Sequence, residues 1–527
     1  MERSAPSLSS GGGYGWASLV RAHRLSNRIA LTAGPDQLTY ADWCRRGDEL
    51  AAALLASGLR RGARVGMLLP NGIDFVVTLY ACARAGLTAV PISTWAAPGE
   101  LARIVAAAQP DLMIASDAFV EPVAALAKLA AQGIGPGEEA LFVIGEERAG
   151  TAHWSALIAR GAECDPRVWV SETGADHDDA DFVILFTSGS TGDPKGVVLT
   201  QGAVRRNAVH ISDRMGLGSA DRVYSYFPMF FSGGLCNVLS GAAAAGAEIV
   251  TQARYEPTTA AGLIRARGCT AHNVWHDGLS AIAGSAGFTT ADLRRMRRGL
   301  VLDPDLFERF GLPFDQGVNM YGSTETATAF TCHDWQDHAD IRRSTHGSPL
   351  PGNRLRIVDP DTRTILRDGE VGEIVVRGPN LMRGYTDGSH LGLLDDGWFS
   401  TGDLGSWSGG QLLYSGRLKT LIKVKGLTVQ PEEVESALRR HEAVAQVVVV
   451  GVGGDESTSL RALVSIDATW SAGSDARKIG EILDAHCRRE LSSYKIPRIH
   501  IVPDADIPLA GSHKLDRVSA ARLAARL

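Results

Sequence analysis

Short apolar runs that alternate with helix-period stretches are the feature that most constrains the fold of this chain. Runs typical of buried strands occur at residues 64–69, 88–92, 111–115, 141–144 and 181–186, and helical stripes lie between several of them. Such alternation is the signature of βαβ units, which build parallel sheets with helices on both faces. We therefore predict the α/β class with parallel sheets.

The pattern changes after about residue 347. Segments 354–358 and 373–376 predict short antiparallel strands separated by Pro, Asp and Gly, and a compact α+β pattern follows residue 416. The first residues are rich in Ser and Gly and carry no apolar stripe. We therefore predict three segments: a disordered tail at 1–20, a large N-terminal domain at 21–416 and a smaller C-terminal domain at 417–527.

Composition excludes several classes of protein. Among 527 residues, 45% are hydrophobic and 21% are charged, which is typical of a globular chain and not of a disordered one. The net charge of −6 and the lack of a long basic block argue against a nucleic-acid partner. Seven scattered cysteines without a C-x-x-C pair indicate a reducing compartment. With no signal peptide and no apolar stretch long enough to span a bilayer, we expect a cytoplasmic protein without a membrane partner. The oligomeric state is left open.

Residues 181–200, DFVILFTSGSTGDPKGVVLT, carry the most informative chemistry. An apolar strand leads into a turn of Ser, Thr and Gly, whose hydroxyls and bare backbone N–H groups can wrap the oxygens of a polyphosphate. The spacing does not fit G-x-x-x-x-G-K-[ST], so this is not a Walker A loop. A flexible surface linker is the alternative; the strand before the turn and a helix-like run predicted at 196–199 favour the phosphate loop.

This segment resembles the signature loop of the adenylate-forming superfamily, which includes acyl-CoA and aryl-CoA synthetases, peptide-synthetase adenylation domains and luciferases. Four further segments agree with the family's motifs in the family's order: YGSTET at 321–326, GWFSTGD at 397–403, GRLKTLIK with PEEVE at 416–435, and PLAGSHKLDR at 508–517. The resemblance spans roughly residues 27 to 517. It implies an N-terminal AMP-binding domain of two parallel α/β sheets with a small β-barrel-like unit. A mobile C-terminal α+β lid would turn about a hinge near 417–420.

The resemblance also implies roles for individual residues in binding ATP. It predicts that the polyphosphate is bound by Thr187, Ser188, Gly189, Ser190, Thr191, Gly192 and Lys195. Tyr321 would stack on adenine, while Asp403 and Arg417 would contact the ribose.

The remaining roles concern the reaction itself, in which a carboxylate joins the α-phosphate of ATP and pyrophosphate leaves. Thr324 would contact the α-phosphate, Glu325 would bind Mg²⁺, and Lys514 would bridge the carboxylate and the α-phosphate. In the chain, His513 stands where the family has glycine before the lysine, and this restricts the backbone there.

Coenzyme A and the hinge account for a second set of residues. Lys419 falls where the family's hinge residue lies, and Lys425 and Gly426 would face the active site when CoA reacts. The resemblance places the acyl pocket at Phe231, Gly233, His272, Trp275 and Gly322. Phe231 stands where the family usually has a gating histidine, and bulky aliphatic residues replace the family's small ones at 298–304.

His272 and His276 are four residues apart, which would suit a metal on a helix, but no further ligand pattern accompanies them. Polar contact with a substrate and ordinary packing are the alternatives for His272.

Together these residues predict an ATP-dependent carboxylic acid–CoA ligase that uses Mg²⁺ and CoA. The lost gate histidine leads us to expect an aromatic or cyclic acid. Three alternatives stay open: transfer of the acyl group to a carrier protein or an amine, activation of an unusual oxyanion, and a nucleotide-binding pseudoenzyme.

Overall fold

A computed structural model describes most of the chain. The described residues are 15–146, 148–162, 177–188, 194–274, 276–300, 308, 311, 317–389, 392–394, 396–418, 422–424, 427–429, 431–453, 458–467, 470, 475–491, 495–509 and 515–527. Contacts divide the chain into two compact units. The first consists of Met1–Arg354 and Arg377–Leu391, and the second of Leu355–Val376 and Gly392–Leu527.

The strands, in chain order, are β1 (Ile29–Ala33), β2 (Asp36–Thr39), β3 (Arg64–Leu68), β4 (Thr88–Pro91), β5 (Leu112–Ser116), β6 (Leu141–Ile144), β7 (Ala152–His153), β8 (Asp181–Ser188), β9 (Pro194–Thr200), β10 (Arg222–Ser225), β11 (Glu248–Thr251), β12 (Ala271–Asn273), β13 (Arg298–Leu300), β14 (Gly317–Val318), β15 (Met320–Tyr321), β16 (Thr331–Cys332), β17 (Ser348–Pro349), β18 (Arg354–Val358), β19 (Gly372–Arg377), β20 (Gly384–Tyr385), β21 (Phe399–Ser408), β22 (Gln411–Arg417), β23 (Ile422–Val424), β24 (Leu427–Val429), β25 (Val444–Val452), β26 (Ser459–Ile466) and β27 (Arg498–Ile501).

The α-helices are Ala17–Arg21, Tyr40–Ala56, Ile73–Ala85, Pro98–Ala108, Val120–Ala131, Trp154–Gly161, Gln201–Arg214, Ser240–Ala245, Pro257–Arg267, His276–Ala283, Thr290–Arg295, Ala339–Ser344, Pro431–Arg439, Ala476–Glu490 and Arg517–Arg526. Short 3₁₀ turns lie at Glu138–Ala140, Thr324–Thr326 and Asp504–Asp506, and a π-helical turn lies at Gly233–Leu239.

An eight-stranded sheet forms one half of the first unit, in the order β20-β9-β8-β4-β3-β5-β6-β7. Six adjacent strands of this sheet run parallel to one another: β8, β4, β3, β5, β6 and β7. The strand β9 is antiparallel to β8, and β20 is antiparallel to β9. The helix Pro98–Ala108 packs Leu101 and Ile104 against Val90 and Ile184 of this sheet. Burial of these aliphatic side chains is the main driving force for the βαβ packing, and the parallel strands predicted between residues 64 and 186 are confirmed.

The helix-like run predicted at 196–199 is wrong, because these residues belong to β9. The strand pairs antiparallel with β8, and Val197 and Val198 lie opposite Leu185 and Ile184. Adjacent β-branched valines favour an extended backbone where a neighbouring strand offers pairing and burial. The predicted phosphate loop therefore connects two antiparallel strands.

The second sheet of the first unit has the order β14-β13-β12-β10-β11-β1-β2 and is parallel apart from β2. The start of the folded structure corrects the bounds of the predicted disordered tail. Residues 1–14 lie outside the described part of the chain, but Trp16 is fully buried and begins the folded structure. Its indole N–H donates to Ser240 Oγ at 2.8 Å, and its ring stacks on Phe182 at 5.0 Å.

The second unit contains a four-stranded antiparallel sheet, β18-β19-β21-β22, and a three-stranded sheet, β25-β26-β27. The helices Pro431–Arg439 and Ala476–Glu490 cover the latter, with Val434 and Leu483 in one buried cluster. The predicted α/β class, with parallel sheets followed by small antiparallel sheets and an α+β C-terminal domain, is confirmed. The domain boundary predicted at residue 417 stays a prediction, since the division by contacts places residues from 355 onward in the second unit.

Across the described residues, no helix combines the length and the apolar composition needed to cross a membrane.

Candidate functional site

The ends of β8 and β9 frame the predicted phosphate loop. Thr187 and Lys195 are register partners, as are Ser188 and Pro194. The loop residues between them, Gly189, Ser190, Thr191 and Gly192, lie outside the described residues. The hairpin therefore holds Thr187 and Lys195 side by side at the base of that loop, and their role toward a polyphosphate stays a prediction.

Thr324 and Glu325 lie in a 3₁₀ turn whose backbone is tightly constrained. The Ser323 N–H donates to Thr326 Oγ1 at 2.8 Å, and Ala327 and Thr328 that follow adopt φ of 53° and 85°. Such left-handed conformations are costly for residues other than glycine and are often found at functional sites.

Gly322 is required by the same turn. A Cβ at this position would lie 2.2 Å from the carbonyl oxygen of Thr328, so the two backbone segments approach too closely for any side chain. This steric demand explains the glycine independently of the predicted acyl pocket.

Tyr385 on β20 joins Glu325 to the hairpin. Its hydroxyl donates to Glu325 Oε1 at 2.9 Å, and the ammonium of Lys195 lies 5.9 Å from the centroid of its ring. Partial burial and the charge of Glu325 raise the pKa of Tyr385, so its hydroxyl stays protonated. Sequence reasoning missed Tyr385, because the contact spans 60 residues and depends on the pairing of β20 with β9.

The predicted gate residue Phe231 belongs to an aromatic cluster. Its ring lies 4.7 Å from Phe230 and 5.9 Å from Trp95, and both contacts are edge-to-face. The next residue, Ser232, places its Oγ 3.2 Å from Thr324 Oγ1. The segment that carries the aromatic cluster thus reaches the Thr324–Glu325 turn, and Trp95 and Ser232 are further residues that the motifs did not indicate.

Gly233 begins the π-helical turn Gly233–Leu239, a rare geometry that is frequent at functional sites. A Cβ at Gly233 would meet only the ring of Phe227, at 3.7 Å, whereas a Cβ at Gly234 would lie 2.2 Å from the carbonyl oxygen of Pro228. Packing therefore requires glycine at position 234 but not at position 233, and the predicted place of Gly233 in the acyl pocket stays a prediction.

His272 lies on β12 and is only 2% exposed. Burial lowers its pKa to about 4, so the ring stays neutral near pH 7. Trp275 lies outside the described residues, and no cluster of three or more His, Cys, Asp or Glu that could hold a metal occurs in the part of the chain that the structure describes. The observed burial favours packing for His272, and its contact with a substrate stays a prediction.

Tyr321 lies on β15, where it pairs with Thr331 of β16 and is 7% exposed. The strand that carries it leads directly into Gly322 and the turn of Thr324. The predicted adenine contact thus lies four residues before the predicted metal ligand in one continuous segment.

In the second unit, Asp403 and Arg417 form an ion pair. They are register partners on β21 and β22, and Arg417 Nε lies 3.0 Å from Asp403 Oδ1. The Asp403 carboxylate is nearly buried, whereas the Arg417 side chain is 63% exposed. Burial and the charge of Asp403 raise the pKa of Tyr414 to about 12. The two residues predicted to contact the ribose are thus brought together.

Four predicted residues, Lys419, Lys425, Gly426 and Lys514, lie outside the described residues. The ends of the Lys514 segment are nevertheless defined, because Leu509 and Leu515 form an antiparallel bridge and the Asp516 N–H donates to the Pro508 carbonyl at 2.9 Å. Leu509 and Leu515, which flank the segment that carries Lys514, therefore lie side by side.

The donors around Glu325 suit Mg²⁺. This cation prefers hard oxygen ligands, keeps several waters and binds through one or two carboxylates together with substrate phosphates. Glu325 is only partly buried. The hydroxyl of Thr324, the preceding residue, lies 3.2 Å from the hydroxyl of Ser232. Glu325 is therefore the residue that could hold the metal.

Comparison with known proteins identifies the family of the chain. The model of the AMP-binding enzyme family matches residues 20–386, and that of the AMP-binding enzyme C-terminal domain matches residues 433–514. An indoleacetate–CoA ligase from Aromatoleum aromaticum is 30% identical over 511 residues, covering 95% of this chain and 96% of the relative. A feruloyl-CoA synthase from Amycolatopsis is also 30% identical and covers 95% and 97% of the two chains.

Among solved structures, an anthranilate CoA ligase in complex with anthranoyl-AMP superimposes with a TM-score of 0.85 at 23% identity, covering 98% of this chain and 99% of that one. This similarity confirms the fold. The relatives named here are acyl- and aryl-CoA ligases, and the superfamily predicted from the five motifs is confirmed: the chain belongs to the family of AMP-binding enzymes.

Proposed function

We propose that the protein is an ATP-dependent carboxylic acid–CoA ligase. The observation that carries the proposal is that Glu325 and Lys195 both contact Tyr385 in the first unit, while Thr324 precedes Glu325 in the same 3₁₀ turn. A metal-binding carboxylate, a hydroxyl and a cation beside the base of a glycine-rich loop form the donor set that a triphosphate requires. The names of the relatives, an indoleacetate–CoA ligase and a feruloyl-CoA synthase, support CoA as the acceptor.

In the first half-reaction, a carboxylate oxygen of the acid attacks the α-phosphorus of ATP. The bond from that phosphorus to the bridging oxygen breaks, and its electron pair leaves with pyrophosphate. Two anions must approach each other, so catalysis depends mainly on positioning and on neutralising charge. Thr324 donates a hydrogen bond to the α-phosphate, and Lys195 and Lys514 supply positive charge. Glu325 would hold Mg²⁺, which would neutralise further charge on the phosphates.

In the second half-reaction, the deprotonated sulfur of CoA attacks the acyl carbonyl carbon, and AMP leaves with the electron pair of the carbon–oxygen bond. Lys514 serves only the first half-reaction, and Lys425 and Gly426 face the thiol in the second. A turn of the C-terminal domain about Lys419 separates the two geometries, since one site cannot easily hold the lysine and the thiol on the same side of the acyl group.

The substrate we propose is an aromatic or cyclic acid. Phe231 cannot donate or accept a hydrogen bond as a histidine gate would, and it packs edge-to-face with Phe230 and Trp95. Contacts of this geometry contribute about 0.5–1.5 kcal/mol each beyond the burial of area. An aromatic ring that enters beside this cluster gains such contacts, whereas a linear chain gains only burial.

Pyrophosphate release from a panel of acids tests the proposal. Indoleacetate, ferulate and benzoate should give kcat/KM values about tenfold or more above those of palmitate, an effect of the size expected from one or two aromatic contacts. Thioester should appear only when CoA is present. Higher kcat/KM for palmitate would contradict the aromatic preference, and turnover restored by a carrier protein or an amine instead of CoA would contradict the acceptor. If no acid yields pyrophosphate with any acceptor, the chain is a nucleotide-binding pseudoenzyme.

We also propose a cytoplasmic location. The described cysteines Cys44, Cys82, Cys236, Cys269, Cys332 and Cys487 are free and buried. Disulfides are rare where glutathione and thioredoxin keep thiols reduced. Fractionation of cells that produce the protein, followed by detection with an antibody, tests this; recovery from an oxidising compartment would contradict it.

A further inference from the structure

The contact between Tyr385 and Glu325 has no part in the reaction described above. We propose that Tyr385 is a positioning residue for the metal-binding carboxylate, and that its hydroxyl sets the affinity for the divalent cation. This inference rests on the proposed function, because it takes Glu325 as the residue that holds the metal. It concerns a side chain that would touch neither substrate nor metal and would act through Glu325.

The hydrogen bond leaves room for the metal. A carboxylate has about four lone-pair sites on its two oxygens, and Tyr385 occupies one of them, on Oε1 at 2.9 Å. The phenol is a neutral donor and brings no positive charge that would repel a cation. Carboxylates that bind metals are commonly held by such outer hydrogen bonds, and loss of the partner typically weakens metal binding about 10- to 100-fold.

The segment that carries Tyr385 also holds the backbone of Glu325. The Met382 N–H donates to the Glu325 carbonyl at 2.7 Å, three residues before the tyrosine whose hydroxyl holds the side chain. Backbone and carboxylate of the same residue are thus both tied to residues 382–385. This double attachment restricts the rotamers of Glu325 before any metal binds.

The same segment is continuous with the hairpin that bears Lys195. Tyr385 is the register partner of Val197, and the Thr386 N–H donates to the Gly196 carbonyl at 2.8 Å. A Cβ on Gly196 would lie 2.7 Å from Thr386 Oγ1, so the strands meet where only glycine fits. Strand pairing therefore couples the position of Tyr385 to that of the phosphate loop.

The ring and the hydroxyl of Tyr385 have separable roles. The ring faces the Lys195 ammonium at 5.9 Å from its centroid, within the range of a weak cation–π contact. The substitution Tyr385→Phe keeps the ring and removes only the hydroxyl, whereas Tyr385→Leu removes both. The first variant thus isolates the effect on Glu325.

A matched control exists elsewhere in the first unit. The hydroxyl of Tyr80 donates to Asp48 Oδ1 at 3.3 Å, so Tyr80→Phe also breaks a hydrogen bond between a tyrosine and a carboxylate. It does so away from Glu325, and we expect it to leave metal binding unchanged. Thermal unfolding of all variants checks that each is folded.

The experiment measures the binding of Mn²⁺ to the full chain by electron paramagnetic resonance, in the presence of α,β-methylene-ATP. Tyr385→Phe should raise the Kd for Mn²⁺ about tenfold, the lower end of the effect of such outer partners. The concentration of Mg²⁺ for half-maximal pyrophosphate release should rise in parallel, while the rate at saturating Mg²⁺ stays within about twofold, because the hydroxyl acts on metal binding alone. Tyr385→Leu should in addition weaken nucleotide binding.

An unchanged or lowered Kd for Mn²⁺ in Tyr385→Phe would overturn the inference, as would a lower saturating rate with unchanged metal dependence. An increase in Kd for Tyr80→Phe of the same size would also overturn it, since the effect would then not pass through Glu325. Failure of the proposed function gives a different result: the unaltered protein would show no pyrophosphate release, or its Mn²⁺ binding would persist in Glu325→Gln.

Discussion

Glu325 in the first unit and Glu435 in the second are held in opposite ways. Glu325 is partly buried and accepts a hydrogen bond from the neutral hydroxyl of Tyr385 at 2.9 Å. Glu435 is 2% exposed and accepts from both terminal nitrogens of Arg517, at 2.5 and 3.1 Å, and from the Val449 N–H at 2.8 Å. A buried carboxylate needs such partners to offset its desolvation, whereas a partly exposed one with a neutral partner can still bind a cation.

Arg517, Glu432, Glu435 and Val449 form a cluster that shows how a carboxylate with several hydrogen-bond partners stabilises the fold. Arg517 also donates to Glu432 at 3.0 Å and to the Val449 carbonyl at 2.7 Å. The guanidinium thereby ties the helices Pro431–Arg439 and Arg517–Arg526 to β25. Arg517 lies two residues after Leu515, whose bridge to Leu509 flanks the segment that carries Lys514, so we call this cluster the anchor. Glu435 thus serves the fold, whereas Glu325 stays partly exposed.

The largest effect should come from breaking the anchor. Arg517→Met removes the cation that donates two hydrogen bonds to the buried Glu435 and leaves the longer contact with the half-exposed Arg439, at 3.4 Å. Removal of one partner of a buried ion pair costs about 3–5 kcal/mol. Urea unfolding followed by hydrogen exchange at the amides of β25 measures the loss. Arg440→Met serves as the control, because its ion pair with Glu490 at 2.9 Å is largely exposed and worth less than about 1 kcal/mol.

The pair of replacements Arg517→Met and Glu435→Leu should recover much of this stability, since an apolar pair removes the stranded charge. If Arg517→Met alone loses no more than Arg440→Met, the cluster is not an anchor, and the contrast between the two glutamates disappears.

The next effect concerns Lys514, which precedes Arg517 by three residues in the chain. Lys514→Ala should slow formation of the acyl-adenylate about 10²-fold or more, as expected for loss of a preorganised charge contact. Thioester formation from a supplied acyl-adenylate should stay nearly unchanged. Single-turnover kinetics of each half-reaction measure both rates.

Gly426→Leu is the matched variant for the second half-reaction and should show the reverse pattern. Lys419→Pro, which fixes φ, should impair thioester formation if it traps the adenylation geometry. Equal loss of both steps in a folded Lys514→Ala variant would show that one fixed arrangement serves both.

The smallest effect concerns His272, a buried titratable side chain in the first unit. Burial lowers the pKa of His272 to about 4 from its usual 6.5. Between pH 4 and pH 6.5 the imidazole is therefore protonated in the unfolded chain and neutral in the folded chain. The stability that this contributes is complete above pH 6.5 and is lost as the pH falls toward 4. His272→Gln should therefore flatten the pH dependence by about 1.4 kcal/mol per pH unit in this window.

Unfolding of the first unit at several pH values between 4.5 and 7.5 checks this. His333, whose pKa burial also lowers to about 4, adds a slope to both proteins, so only the difference between them is interpreted. His338→Gln is the control, because that side chain is 75% exposed. Identical slopes in His272→Gln and the unaltered protein would contradict a neutral His272.

Much of the fold followed from local patterns. The strands predicted at 64–69 and 141–144 correspond to β3 and β6, and the helices predicted by periodicity alternate with them. The run at 196–199 was mistaken for helix because four apolar residues carry too little periodicity to distinguish the two structures. Its pairing with β8 decided the outcome. Trp16 was missed for a similar reason: a Ser- and Gly-rich start hides a single buried aromatic ring.

The candidate site divides in the same way. The resemblance to the family's motifs assigned predicted roles to Thr324, Glu325, Asp403 and Arg417, because each motif is a run of consecutive residues. They did not identify Tyr385, Ser232 or Trp95, whose contacts join residues far apart in the chain. The necessity of glycine at 234, where a Cβ would lie 2.2 Å from the Pro228 carbonyl oxygen, also depends on backbone packing rather than on a motif.

The sequence by itself determined the class of fold, the family and the residues predicted to contact ATP, because hydrophobic periodicity and motif spacing are local properties. Only the tertiary structure decided which neutral or charged partner each of these groups receives. In the structure, a tyrosine hydroxyl donates to Glu325 and an arginine donates to Glu435. Burial lowers the pKa of His272, so its ring is neutral near pH 7. Partners and burial depend on strand order and on the approach of distant segments. The partners and the burial of a carboxylate determine whether it can bind a ligand or instead stabilises the fold.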